Sequence, residues 1–138
     1  MIEILIVDSN SAHVLLITDC LSQCCPASIK VVVDGEEAVR LLTHANYRPH
    51  LVLLELNVPK LSGQEVLKRV RRRNQNIPII VLSAARSQED VSRAYASGAN
   101  MYAEKPSDPE AFRRTICTIA KLWLAPLAVG RAAAGSRS

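Results

Sequence analysis

Polar side chains of the types that bind metal ions and phosphate follow each of five apolar segments in the chain. They are Asp8 with Ser9, Asp34, Glu55 with Asn57, Ser83, and Lys105. Carboxylate and carbonyl oxygens are the ligands that Mg²⁺ prefers, whereas lysine and hydroxyl groups donate hydrogen bonds to phosphate oxygens. Any single one of these residues is better explained as a helix cap or a surface ion pair. Their repetition after five segments instead indicates one shared site for a phosphoryl group and a divalent cation.

Two alternating periodicities identify the elements that must position this site. Short β-strands are predicted at 2–7, 29–33, 51–55, 77–83 and 100–104, and the first four segments are β-branched or leucine-rich. Apolar residues at helical spacing lie between and after them, as in Val14, Ile17 and Leu21, and predict five helices. Five βα units in series imply an α/β fold with a five-stranded parallel sheet and helices on both faces. Ligands of such sheets bind beyond the carboxyl ends of the strands, where the polar residues lie.

Helix boundaries are signalled by capping residues. Two S-x-x-E capping boxes, at 62–65 and 107–110, predict the starts of the third and fifth helices. Pro109 suits a first helical turn, because its missing N–H has no partner there in any case. Gly98 is expected to end the fourth helix.

Composition limits the class of protein. The chain has 138 residues, 49% of them hydrophobic and 4% aromatic, which predicts one domain with an aliphatic core over residues 1–124. Residues 125–138 are expected to form a partly flexible C-terminal extension. No apolar stretch approaches the roughly 20 residues that a membrane span needs, and the acidic start MIEILIVD is not a secretion signal. The expected location is cytoplasmic.

Several other kinds of site are disfavoured. The four cysteines show no CxxC spacing, which favours reduced thiols over disulfides or metal ligands. His13, His44 and His50 are scattered and are interpreted as ordinary surface or strand-edge residues. No GxGxxG or GxxxxGK[ST] motif occurs, and the loop after the first strand, DSNSAH, contains no glycine to cradle a phosphate chain. Dinucleotide, nucleotide and flavin sites are therefore not expected.

Four motifs carry a resemblance to a known family. They are LIVDSN, RPHLVLLELNVPKLSGQEVLKRVR, PIIVLSAA and SGANMYAEKPSDPEAF, in this order within residues 2–124. The set resembles the response-regulator receiver domain family, whose CheY-like, flavodoxin-like fold has strand order 2-1-3-4-5. The chain is similar to stand-alone receivers that partner phytochrome-type sensor kinases. The resemblance implies a two-component phosphorelay protein that is not an enzyme, with a sensor histidine kinase or a downstream signalling protein as its partner.

The resemblance also implies a role for each residue that matches a family motif. These are Glu55 at the phosphoacceptor position, Asp8 and Ser9 at the acidic pair, Asn57 as a backbone-carbonyl ligand of Mg²⁺, Ser83 as the switch hydroxyl, Tyr102 as the aromatic residue that changes rotamer, and Lys105 as the phosphate-sensing ammonium. Asp8, Glu55 and Asn57 would be the metal ligands. The bond between Lys105 and Pro106 is expected to be cis.

Two positions depart from the family pattern. Glu55 replaces the phosphoacceptor aspartate, and its carboxylate lies about 1.5 Å further from the backbone, one C–C bond length. Ser9 replaces an acid that binds the metal directly. A misplacement of about 1 Å can cost on the order of a hundredfold in rate, and a lost carboxylate weakens Mg²⁺ binding. We therefore predict a pseudo-receiver in a fixed, partly phospho-mimicking state, in which Mg²⁺ binds weakly and is not required.

The alternative is a conventional Mg²⁺-dependent receiver that a sensor histidine kinase still phosphorylates. A phosphatase with Asp8 as nucleophile is disfavoured, because such a site wants an acid where Asn10 stands. A nucleic-acid-binding module would use the basic run of the third helix, Lys68, Arg69, Arg71, Arg72 and Arg73, but a solvated helical face is the more frequent explanation. By the resemblance, homodimers would form through helix 4, strand 5 and helix 5, with Tyr95, Tyr102 and Trp123 on the contact face.

Overall fold

Five parallel strands form one sheet in the order β2-β1-β3-β4-β5, as predicted. The computed structural model describes residues 1–24, 26–73, 76–85 and 87–127. The strands are β1 (Ile2–Val7), β2 (Ala27–Val32), β3 (Leu51–Leu54), β4 (Ile79–Ser83) and β5 (Met101–Glu104). The helices are α1 (Ser11–Cys24), α2 (Gly35–Leu42), α3 (Gly63–Arg72), α4 (Gln88–Ala96) and α5 (Pro109–Ile119). The chain thus has the (βα)5 architecture of the CheY-like fold.

The sheet separates two aliphatic cores. Alternate residues of β1 divide between them, because successive side chains of a strand point to opposite faces. Ile4 and Ile6 pack with α1 and α5, whereas Leu5 and Val7 pack with α2, α3 and α4. The central strands are therefore buried on both faces, which explains why they are apolar apart from the exposed Glu3 near the start of β1 and the polar residues at their carboxyl ends.

Strand boundaries differ slightly from the prediction. β2 begins two residues earlier than predicted and β4 begins two residues later, at Ile79. Pro78 has no N–H to donate to a neighbouring strand, so the regular ladder of β4 starts after it. Glu55 lies one residue beyond β3, but its backbone N–H still donates to the Val7 carbonyl at 2.9 Å.

One of the two predicted capping boxes is wrong. Ser62 caps α3 as predicted and accepts from the Glu65 N–H at 3.3 Å. The cap of α5 is Asp108, not Ser107, and it accepts from the Ala111 N–H at 2.9 Å. Both residue types are good caps, but Pro109 favours the first helical position and so makes the residue before it the cap. Gly98, at φ +113°, follows α4 as expected.

The basic run of α3 is partly structural. Arg71 donates to the carbonyls of Gly98 at 3.0 Å and Ile77 at 2.9 Å, and to Asn100 Oδ1 at 2.8 Å. It therefore ties α3 to the loops that flank β4 and β5. Arg69 pairs with Glu65 along the helix at 3.2 Å. Fewer basic side chains of α3 are therefore available to a partner than the sequence suggests.

The C-terminal end of α5 continues as a helix. A π-helical turn spans Ala120–Leu124, and residues 125–127 remain helical. Leu124 is buried, and Leu127 packs against the core shared with α1. The rest of the predicted extension, 128–138, lies outside the described residues. Within the described residues, no helix is long and apolar enough to cross a membrane.

Candidate functional site

Backbone hydrogen bonds place three of the predicted residues at one edge of the sheet. Each donates its N–H to the end of a neighbouring strand: Asp8 to Val32 at 3.1 Å, Glu55 to Val7 at 2.9 Å, and Lys105 to Ser83 at 2.8 Å. These bonds extend the parallel ladders by one step beyond β1, β3 and β5. Because parallel strands end at a common edge, the three side chains enter the same crevice.

The Lys105 ammonium is the centre of this crevice. Its Nζ lies 2.6 Å from Asp8 Oδ2, 3.0 Å from Glu55 Oε1 and 3.1 Å from His13 Nδ1. The Lys105, Asp8 and Glu55 side chains are only 2%, 4% and 8% exposed. An ammonium has three donors and no acceptor, so His13 Nδ1 is the acceptor in its contact. The protein's own side chains therefore occupy every donor of Lys105.

Glu55 is held by more than this ion pair. Its Oε2 accepts from the Asn57 N–H at 3.3 Å. Burial raises the pKa of the Glu55 carboxyl, but hydrogen bonding to Ser83 and Lys105, the Lys105 charge and the Asn57 N–H outweigh burial. The pKa of Glu55 therefore lies below its ordinary value, and the buried side chain is a carboxylate at neutral pH.

Ser83 and Tyr102 are linked through one backbone residue. The fully buried Ser83 hydroxyl accepts from the Ala85 N–H at 3.2 Å, and the Tyr102 hydroxyl donates to the Ala85 carbonyl at 2.6 Å. The Tyr102 N–H in turn donates to the Tyr95 hydroxyl on α4 at 3.0 Å. A continuous set of contacts therefore runs from the crevice to the surface of α4.

His13 is a site residue that the sequence prediction missed. Its isolated position in the sequence predicts an ordinary surface or strand-edge residue, but it lies in the first turn of α1 beside Lys105, with its ring centroid 5.3 Å from that of Phe112. The sequence feature that could have identified His13 as a site residue is its position just after the acidic turn, on a helix that starts at the crevice. The other two histidines accept backbone N–H bonds, His44 from Asn46 and His50 from Glu3.

Two other predicted features differ in the structure, those of Asp34 and of the bond between Lys105 and Pro106. Asp34 does not join the crevice, because it caps α2 through the Glu37 N–H at 2.8 Å and lies 3.8 Å from Lys60. Ser9 and Asn57 lie beside the crevice, but both are exposed. The Lys105–Pro106 bond is trans, so the cis prediction is wrong. The two isomers of such a bond differ by only about 0.5 to 1 kcal/mol, so local sequence does not decide between them.

A groove of about 860 Å³ opens beside Lys105 between α1 and the start of α5. Its walls are mainly apolar, with Leu15, Leu16, Pro106 and Phe112 among the lining residues. Leu15, on the α1 wall, is 72% exposed. Lys105 of the crevice therefore also lines a mainly apolar groove.

The pKa of Glu55 predicts a pH-dependent contribution to stability. Because its folded-state pKa lies below the ordinary 4.5, the ionised carboxylate stabilises the fold above that pH. This contribution is lost as the pH falls through the folded-state pKa. We expect the difference in unfolding free energy between wild type and Glu55→Gln to shrink as the pH falls from neutral to below 4.5, as measured by urea denaturation. A difference that stays constant over this range would contradict the assignment.

Comparisons with known proteins agree with this geometry. Residues 4–117 match the family model of the response regulator receiver domain. A probable methanogenesis regulatory protein, FilR2 of Methanothrix harundinacea, is 35% identical over 88% of this chain and 83% of its own length. The crystal structure of the phosphorylated cyanobacterial phytochrome response regulator RcpA superposes with a TM-score of 0.82, at 31% identity over 90% of this chain and 94% of its own. The Mn²⁺-bound form of response regulator Rcp1 gives a TM-score of 0.83, at 28% identity over 90% and 95%. The chain therefore belongs to the response regulator receiver domain family, whose members are signalling modules of two-component systems.

Proposed function

We propose that this protein is an atypical single-domain response regulator, a pseudo-receiver that signals by binding in a fixed, phospho-mimicking state. The observation that carries the proposal is the contact between Glu55 Oε1 and Lys105 Nζ at 3.0 Å. The side chain at the phosphoacceptor position is thereby already joined to the ammonium that would otherwise detect a phosphoryl group.

The length of the glutamate side chain supports the proposed phospho-mimicking state. Its carboxylate extends about 1.5 Å beyond that of an aspartate, toward the space that a phosphoryl group would need. The mimicry is partial, because a phosphoryl group carries a charge of about −1.5 to −2 and three acceptor oxygens, against one charge and two oxygens here. Asp8 and His13 complete the coordination of Lys105, so a phosphoryl group would have to displace one of these partners.

The donor set fits a divalent cation poorly. The solved structure of Rcp1 contains Mn²⁺. In this chain, both buried carboxylates are hydrogen-bonded to Lys105, and Ser9 stands at the second acidic position. Within the described part of the chain, no three His, Cys, Asp or Glu side chains are arranged to hold a metal ion. We infer that Lys105 supplies the positive charge that the two carboxylates need, and that Mg²⁺ binds weakly and is not required.

Protein partners follow from the same proposal. Receiver domains interact with sensor histidine kinases or downstream effectors, and we propose that this chain does so without catalysing a reaction. We further propose that it forms a homodimer through α4, β5 and α5. Tyr95 is 48% exposed on this face, and Trp123 donates its indole N–H to Met101 Sδ at 3.4 Å. The contacts of Tyr102 connect this face to the crevice.

The alternative is a conventional receiver in which Glu55 still accepts phosphate. It requires the buried ion pair with Lys105 to open before reaction. A nucleic-acid-binding function is disfavoured, because Arg71 is committed to contacts within the fold.

Incubation with acetyl phosphate and Mg²⁺, followed by intact mass measurement, tests the proposal. We expect wild type to remain unmodified under conditions that fully modify a conventional receiver run in parallel. A stoichiometric phosphoryl adduct on Glu55, located by peptide mapping, would overturn the proposal and favour the conventional alternative.

A further inference from the structure

Cys20 and Cys117 lie where α1 packs against α5, and Cys24 is the last residue of α1. The two helices pack directly against each other and share one aliphatic core. Cys20 is buried on the α1 side, whereas Cys24 and Cys117 are exposed. None of them takes part in the function proposed above.

Arg113 sets the register of the two helices. Its Nη1 lies 3.5 Å from Asp19 Oδ2 and 3.8 Å from Cys20 Sγ, so this turn of α5 faces residues 19 and 20 of α1. Cys117 follows Arg113 by four residues and therefore lies on the same side of α5, one turn further on. Because α1 and α5 both follow parallel strands onto the same face of the sheet, they run in the same direction. Cys117 consequently lies beside the stretch of α1 that begins at Cys20.

The electrostatics of the Cys20 thiol agrees with this placement. Burial raises the pKa of the Cys20 thiol, and the negative charge of a Cys117 thiolate raises it further, while Arg113 acts in the opposite direction. The buried Cys20 is therefore a poor first target for an oxidant, since the thiolate is the reactive form. The exposed Cys117 is the more accessible of the two.

We propose that Cys20 and Cys117 are a redox-sensitive pair that forms a reversible disulfide between α1 and α5 when the protein meets a peroxide. The Cys117 thiolate attacks one peroxide oxygen and becomes a sulfenic acid as the O–O bond breaks and hydroxide leaves. Cys20 sulfur then attacks the sulfenic sulfur, forming the S–S bond and releasing a second hydroxide. Two thiols are oxidised, one peroxide is reduced, and the thiol protons end in two water molecules.

The bond would connect two helices that are far apart in sequence. It would close a long loop of the chain, and such cross-links limit the freedom of the unfolded state. It would also hold together the two walls of the groove beside Lys105. Oxidation would thus act on the surface next to the crevice without changing any residue inside it.

Peroxide treatment of the full chain tests this inference. Hydrogen peroxide is added to dilute protein in which Cys25 is replaced by serine, remaining thiols are alkylated, and peptides are mapped without reduction. We expect a cross-linked peptide pair containing Cys20 and Cys117, an intact mass lower by two hydrogens, and an increased urea midpoint that dithiothreitol reverses. The Cys117→Ser variant, which changes an exposed residue, should show neither the cross-link nor the shift.

Three outcomes would overturn the inference. They are a bond from Cys117 to Cys24, a bond between two chains, and oxidation of Cys117 to sulfenic or sulfinic acid without any cross-link. Cys24→Ser serves as the matched control on α1 and should leave the Cys20–Cys117 bond intact. Because the readout is a covalent bond far from Glu55, it is independent of the phosphorylation test.

Discussion

Replacing Lys105 by methionine is expected to lower the free energy of unfolding at neutral pH by about 3 to 5 kcal/mol. Methionine keeps much of the aliphatic length of lysine but leaves Asp8 and Glu55 as two buried carboxylates without a cation. Removing one partner of a buried ion pair exposes the full desolvation cost of the other charge, and here two like charges would also repel each other. Urea denaturation measures the loss.

Lys60→Met is the matched control for this experiment. Lys60 also pairs with an aspartate, at 3.8 Å, but its side chain is 61% exposed. Exposed pairs contribute about 0 to 1 kcal/mol, so the control should stay close to wild type. If Lys105→Met and Lys60→Met lost similar amounts of unfolding free energy, the buried contacts of Lys105 would not stabilise the fold more than an exposed ion pair does. Acidification provides a second check, because protonation of a carboxylate in Lys105→Met should bring its stability closer to that of wild type.

The double substitution Ser9→Asp with Glu55→Asp is expected to create a phosphate-accepting site. It restores the second acid for the metal and withdraws the carboxylate by one methylene, so that Lys105 can contact a phosphoryl group. We expect Mg²⁺ binding to become measurable by calorimetry, and phosphorylation by acetyl phosphate to rise by on the order of a hundredfold or more, as judged by intact mass.

The single variants separate the two contributions. Glu55→Asp alone should correct the reach of the nucleophile but keep weak metal binding, and Ser9→Asp alone should strengthen metal binding without phosphorylation. Light scattering on the same samples measures whether the proposed dimer depends on the state of the site. If the double variant gains neither Mg²⁺ affinity nor phosphorylation, then Glu55 and Ser9 do not account for the loss of the family's chemistry.

The sequence predicts the backbone of the site better than its contacts. An apolar run that ends in a polar residue marks the end of a buried strand, so the positions of Asp8, Glu55 and Lys105 at one edge follow from parallel topology alone. The prediction for Asp34 failed because its capping bond to α2 depends on local geometry beyond the strand. His13 was missed because its partner Lys105 is 92 residues away, and only the packed fold brings them together.

Arg71 illustrates the same limit on another part of the surface. In the sequence it is one of several basic residues in α3, and nothing distinguishes it from Arg72. In the structure it bonds to two carbonyls and an amide oxygen from segments that precede β4 and β5. Charge patterns identify a basic stretch, but long-range contacts decide which of its members remain available to a partner.

The backbone bonds that Asp8, Glu55 and Lys105 make to neighbouring strand ends have a consequence for the freedom of the site. With their main chains fixed in the sheet, a change of state is confined to side-chain torsions. Glutamate and lysine are among the residues that lose most rotamer entropy when they are immobilised. Opening the ion pair would return that entropy, which would offset part of the free energy lost with the contact. Side-chain entropy thus opposes the closed ion pair between Glu55 and Lys105. The opposition would be smaller for an aspartate, because its side chain is shorter and has less rotamer freedom to lose.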